Sequence, residues 1–342
     1  IVGFAEIFMV RSLGTEAISA VGISRTIVMV IGITMVAVAT GTMTMVAQAV
    51  GAKNWTDASA TTKQSVTLVT GISVAISLFG YVTSDLALIS LSVPPEVSVL
   101  AVPYLQIFFL TVPLMALQRT LDTGLQAAGD TKTPFYISVI ANASHLIASY
   151  LLIFGIWGLP QLGVVGAAAG GVAGGIIGNI CRFWALYSGR FALKFLPNTS
   201  YIPEADRARR LLKIGIPSAL QGLFRNGSNV VYLKLIALTA NPTVALAAYS
   251  IGSQMERMLR RTSLSFGTAT TALVGQRLGA GDPDDAEVRG WTTLLISMIG
   301  LALVGLPIVI FASHYMSIFT ANPNVITVGI IYLYAMAASE PF

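Results

Sequence analysis

The chain has little of what soluble and catalytic proteins are built from. Charged residues make up 10% of it, against roughly 25% in an ordinary soluble domain. One cysteine, Cys181, excludes an internal disulfide framework. That cysteine and two histidines, His145 and His314, offer no zinc-ligand spacing. No Ser/His/Asp set stands out, and the glycine runs lack the Gly-Lys-Ser/Thr ending of a phosphate loop. An enzyme, a bound metal and a resident cofactor are therefore not expected. Hydrophobic residues reach 55% with a mean hydropathy of +0.77, which excludes disorder, collagen and a soluble coiled coil. The pI of about 9.4 invites a nucleic-acid reading, but the basic residues lie in loops between apolar runs. What is left is a polytopic membrane protein whose surroundings are a lipid bilayer.

A helix crossing a bilayer needs about 20 mostly apolar residues. Such runs fall at 17–49, 60–83, 97–125, 133–155, 163–187, 208–238, 243–277, 287–312 and 324–342. Residues 1–12 are apolar but too short to cross, and the chain stops inside an apolar run at Phe342, so truncation at both ends is expected. The breaks carry turn chemistry. Gly51-Ala52-Lys53-Asn54 and Gly279-Ala280-Gly281-Asp282-Pro283 each supply a helix stop and then an N-cap. The longest polar stretch, 189–207, reads as a linker between a first lobe, 1–188, and a second, 208–342. Loops taken alternately differ sharply in charge. One set holds Lys53, Lys63, Lys132, Arg182, Arg190, Lys194, Arg207, Arg277 and Arg289 among others, and the opposite set holds Arg11 alone. The positive-inside rule puts the first set, with the linker, in the cytoplasm of a cell whose plasma membrane the chain spans.

The sequence also repeats itself. Gln48 matches Gln276, Asp57 matches Asp285, Pro95 matches Pro323, Tyr104 matches Tyr332 and Pro113 matches Pro341, each pair 228 residues apart. Restoring the ends that the repeat implies gives two parallel six-helix bundles. The first helix is then partial, and the last two and a half of twelve are missing. Parallel repeats related by an axis along the membrane normal occur in one class of secondary transporters.

A series of short motifs falls in order along the whole chain. They include Phe8-Met9-Val10-Arg11-Ser12-Leu13-Gly14, Val46-Ala47-Gln48-Ala49-Val50-Gly51-Ala52, Ala128-Gly129-Asp130-Thr131-Lys132-Thr133-Pro134, Ile214-Gly215-Ile216-Pro217 and Leu273-Val274-Gly275-Gln276-Arg277-Leu278-Gly279. As an ordered set they resemble the multidrug and toxic compound extrusion (MATE) transporters. The resemblance implies an all-α fold of two six-helix lobes and a monomeric antiporter. Its substrates would be small organic, often cationic, compounds exported against inward H⁺ or Na⁺. A related flippase for a lipid or lipid-linked saccharide is the alternative, kept open by Arg119, Arg225, Arg257 and Arg260.

Ionisable groups in membrane spans are costly and default to functional candidates. The first lobe offers Glu6, Asp122 and His145, with Asn142 and Ser149 on the same face of one helix as His145. By the resemblance, Glu6 takes the place of the family's first-helix aspartate, and His145 and Ser149 take the places of its Asn and Asp. Na⁺ prefers oxygen ligands, whereas a histidine titrates near neutral pH. The expectation is H⁺ coupling through Glu6, with Asp122 and His145 as modulators. The second lobe offers Gln221, Arg225, Glu256 and Glu340 as substrate-cavity residues. Glu256 and Arg260, spaced i, i+4, also fit a purely structural ion pair. Gly166, Gly170, Gly174 and Gly178 form a small-residue stripe for close helix packing.

Overall fold

The computed structural model describes residues 5, 9, 15–90, 93, 95–239 and 241–339. The side chains of 15–19, 22–23, 25–34, 225–226, 229–230 and 237 are outside that description. The described residues form helices and loops without strands. In order these are α1 (Thr15–Gly51), α2 (Trp55–Val82), α3 (Ser84–Ser90), α4 (Pro95–Ala127), α5 (Lys132–Phe154) and α6 (Val164–Ser188). Then follow α7 (Ala205–Ala237), α8 (Pro242–Gly279), α9 (Pro283–Ile310), α10 (Ala312–Phe319) and α11 (Pro323–Ser339). The sequence repeat is a structural repeat. Gly51 and Gly279 both end a helix, Trp55 and Pro283 both start one, Val82 and Ile310 end those, and Pro95 and Pro323 start the next. Each pair keeps the 228-residue spacing. The short helices α3 and α10 are repeat partners too, and hydropathy alone does not separate them from their neighbours.

The matching ends have matching chemistry. Asn54 accepts from the Asp57 N–H at 3.0 Å, and Asp282 accepts from the Asp285 N–H at 3.0 Å, so each caps the helix that follows. The residue before each cap is left-handed: Lys53 at φ 57° and Gly281 at φ 78°. A side chain there costs about 1 kcal/mol, which the first copy carries and the second avoids. Asp130 caps α5 by accepting from the N–H of Thr133 at 2.9 Å and from its hydroxyl at 2.6 Å.

The chain divides into two compact units, 1–219 and 220–342. In the first, Val38, Val69, Leu105, Phe109 and Val112 are buried together. In the second, Ala248, Leu259, Leu301, Ile308, Met316 and Leu333 form the core. The large exposed side chains are mostly apolar, such as Phe79, Val82, Ile147, Ile180 and Leu303. Lipid, not water, is the solvent such a surface suits. The helices α2, α4, α5, α6 and α9 are long and apolar enough to cross a bilayer. The 33-residue α7 and 38-residue α8 match them in length but carry more charge.

The polar stretch between the lobes is docked on the first unit. Lys63, 3% exposed on α2, donates to the carbonyls of Leu196 at 2.7 Å and Thr199 at 3.1 Å. Its ammonium lies 5.0 Å from the Tyr201 ring centre and 5.6 Å from that of Phe195. Ser59 accepts from the Leu196 N–H at 2.9 Å, and Gln64 exchanges two hydrogen bonds with Glu204 at 3.1 Å each. Arg207 pairs with Asp57 at 2.9 Å and donates to Thr61 at 2.9 Å. Burial, then the hydrogen bond with Tyr187, pushes the Tyr201 phenol above its usual range, so it stays protonated. Lys63→Ala removes a charged donor from two buried carbonyls and is expected to cost roughly 2 kcal/mol. A lower unfolding temperature in detergent, with faster trypsin cleavage at Arg190 and Lys194, is the expected result.

Candidate transport site

In the first unit, α5 and α6 lie close because α6 presents glycines. A methyl group at Gly174 would stand 2.6 Å from His145 Cβ and 2.8 Å from the Ala141 carbonyl oxygen, and one at Gly170 would collide with Ser149. This close approach places His145 and Ser149 in the seam between the helices. Ser149 is fully buried and donates to the Ala167 carbonyl at 3.3 Å. Asn142, on the same face of α5, is exposed. Glu6 lies outside the described residues.

Asp122 is placed elsewhere. Its carboxylate takes two hydrogen bonds from Arg182 of α6, at 2.7 and 3.0 Å, and Arg182 also donates to Ser138 of α5 at 3.0 Å. Arg182 is fully buried. Ser138 is two turns from His145 along α5, about 10 Å at 1.5 Å per residue. Asp122 and His145 therefore occupy separate levels of the bundle, and the described geometry brings together His145 and Ser149 rather than the expected set of five. Arg182, read from the sequence as a cytoplasmic loop cation, is instead buried within α6, and Ser138 was not singled out. The signal was there: an acid near the end of an apolar span requires a counter-charge, and α6 offers one arginine.

The second unit holds a connected polar cluster. Glu256 of α8 is paired with Arg260 one turn on and accepts a hydrogen bond from the Tyr332 hydroxyl of α11. Gly252 of α8 makes the room that the Tyr332 ring occupies. Tyr332 packs edge-on against Tyr249, with ring centres 5.6 Å apart, and Tyr249 lies 5.4 Å from Tyr232 of α7. A carboxylate thus ties α8 to α11 beside a row of three tyrosines. Of these Tyr332 was readable as the repeat partner of Tyr104, which is itself buried beside Phe108. Gln221 is exposed on α7, on which an apolar face from Leu220 to Leu235 borders an open groove of about 730 Å³. The Arg225 side chain and Glu340 lie outside the description.

The Asp122–Arg182 pair has a stability consequence that separates packing from transport chemistry. Asp122→Leu leaves a buried guanidinium without its counter-ion, a loss of about 3–5 kcal/mol. Asp122→Leu combined with Arg182→Met is expected to recover most of it. Thermal unfolding of the two variants in detergent checks the difference.

Comparison with known proteins agrees with this architecture. The MatE family model matches residues 1–151 and 217–342. The chain is 26% identical over 331 residues to a protein of Shewanella oneidensis named as an FAD transporter, covering 95% of this chain and 72% of that protein. It is 24% identical over 333 residues to a probable multidrug resistance protein NorM of Thermotoga maritima, covering 96% of this chain and 70% of that one. A crystal structure of MATE in the straight conformation superposes with a TM-score of 0.83 at 20% identity, over 100% of this chain and 77% of that chain. A eukaryotic MATE transporter, AtDTX14, gives 0.81 at 20% identity, over 99% of this chain and 75% of that one. With a family model covering most of its length and the same fold in those structures, the chain belongs to the MatE family of multi-pass membrane transporters.

Proposed function

We propose that the chain carries the body of a secondary active antiporter that exports organic compounds from the cell in exchange for protons. One observation carries this reading. Glu256 lies in the middle stretch of the 38-residue helix α8, ion-paired to Arg260 and hydrogen-bonded across to α11. Protonating Glu256 neutralises the group that holds both Arg260 and Tyr332. The tie between α8 and α11 then weakens, so proton occupancy biases the packing of one helix on the other. That is the property a coupling site needs.

Glu6, Asn142, His145 and Ser149 of the first lobe remain the second proposed coupling centre, with Glu6 as proton carrier. A nitrogen at His145, where an oxygen ligand would serve Na⁺, supports H⁺. Exporter chemistry is supported by the relatives named as probable multidrug resistance proteins, and the name of the Shewanella relative extends the range to an FAD transporter. The lysine and arginine excess of alternate loops supports a plasma-membrane orientation with 189–207 in the cytoplasm.

The test uses proteoliposomes and a panel of fluorescent organic solutes of both charges. Acid on the side opposite the dye is expected to drive it across. Glu256→Gln and Glu6→Gln are each expected to lower that proton-driven rate at least tenfold. Movement driven by a Na⁺ gradient alone sinks the proton coupling. No movement of any dye under either gradient sinks the exporter reading itself.

A further inference from the structure

Four charges fall within six residues of α8: Glu256, Arg257, Arg260 and Arg261. Glu256 neutralises Arg260. Arg257 and Arg261 are both exposed and have no carboxylate partner among the described residues. Arg261 is the middle of the helix, nineteen residues from Pro242 and eighteen from Gly279. That is about 28 Å from either end at 1.5 Å per residue, so with α8 centred across a 30 Å hydrocarbon core it would stand roughly 15 Å inside either edge. An arginine at that depth faces a water-filled cavity or a binding partner, not lipid tails.

The charges are part of a stripe. Gln254, Arg257, Arg261, Ser265 and Thr268 recur at three- and four-residue spacing, and all are exposed. The stripe contains two fixed positive charges and no acid. Exposed apolar side chains flank it, Met258 on one side and Leu264 on the other. The fold does not require these charges. The first copy builds the equivalent helix, α1, with Val28, Met29, Gly32 and Ile33 at the positions of Glu256, Arg257, Arg260 and Arg261. At these four positions one helix of the repeat is charged and its partner is apolar, with a single arginine, Arg25, a turn earlier in α1, so backbone geometry and packing alone do not account for Arg257 and Arg261.

We infer that the Gln254–Thr268 stripe of α8 is a substrate-binding wall for organic anions, in which Arg257 and Arg261 hold a carboxylate, phosphate or sulfonate group. This rests on the exporter reading above and departs from the cationic compounds that the family resemblance implies. Guanidinium groups suit such anions because their planar N–H pairs match two oxygens at once. Ser265 and Thr268 supply hydroxyls along the same face, and Met258 and Leu264 give an apolar body something to lie against.

The experiment compares two probes with one ring system and opposite fixed charge, 1-pyrenesulfonate and a pyrenyl trimethylammonium, in proteoliposomes of the full chain under a pH gradient. The sulfonate is expected to move. Arg257→Gln with Arg261→Gln is expected to lower its transport at least tenfold, chiefly through KM. Arg257→Lys with Arg261→Lys keeps the charge and is expected to lose less. Unfolding temperatures of both double variants show whether each is folded, and the lysine pair carries the test if the glutamine pair is not. Movement of the ammonium probe without the sulfonate overturns the anion inference and leaves the exporter standing, as does sulfonate transport that both folded double variants leave unchanged. If neither these probes nor the wider dye panel moves, the exporter reading fails and the inference with it.

Discussion

A charge on a membrane helix needs a counter-charge, a helix end or water, and this requirement sorts the described charges of the chain. Asp122 and Arg182 satisfy each other inside the first unit, and Glu256 and Arg260 do so in the second. Lys63 has backbone carbonyls and two aromatic rings in place of an acid. Arg277 and Arg289 stand at helix ends, where both meet Asp285 at 3.0 Å. A buried pair is weak evidence of net stability, since well-packed apolar residues often do as well. Its value here is positional. Arg182 reaches Asp122 of α4 and Ser138 of α5 from α6, and that three-way contact fixes how the helices register. Among the described residues Arg257 and Arg261 have neither a counter-charge nor a helix end, which is why they point to a cavity.

The two copies of the repeat show which parts of the sequence the fold depends on. Caps and turns are matched in role even where the residue differs, with Asn54 against Asp282 and Lys53 against Gly281. Faces are not matched. The equivalent stretches of α1 and α8 share length and ends but not polarity. A helix in lipid satisfies its backbone internally, so its side chains are free to diverge wherever a cavity replaces lipid. Divergence on one face leaves two copies whose helix ends match and whose polarity differs.

Much of this frame was readable from the sequence, because length and hydropathy decide what crosses a bilayer. Among the described residues the nine long helices lie where the apolar runs lie, and the glycine stripe of α6 does pack against α5. Tertiary features were harder to read. The stretch 189–207 has the composition of a tether, yet its backbone carbonyls are the acceptors that bury Lys63. Nothing local in Lys63 distinguishes it from an ordinary loop-proximal lysine. The site was readable only as separate residues. Asp122 and His145 are both polar groups of the first lobe, but two turns of helix separate their levels. Glu256 was visible beside Arg260, whereas its link to α11 through Tyr332 depends on a glycine at 252 that leaves space for the ring.

The sign of the substrate charge also sets the energetics of export. Each charge moved across the membrane exchanges about 2.3 kcal/mol per 100 mV. Expelling a monovalent cation against one inward proton moves no net charge, so the pH gradient alone drives it, at about 1.4 kcal/mol per unit. Expelling a monovalent anion against one inward proton carries two positive charges inward in effect. An inside-negative potential then contributes about 4.6 kcal/mol per 100 mV, more than three decades of concentration ratio. On the anion inference, a wall with two arginines that have no carboxylate partner among the described residues bears on more than recognition. Substrate charge decides whether voltage or pH supplies most of the work, and a proton-coupled carrier of anions can run on a pH gradient too small to expel a cation.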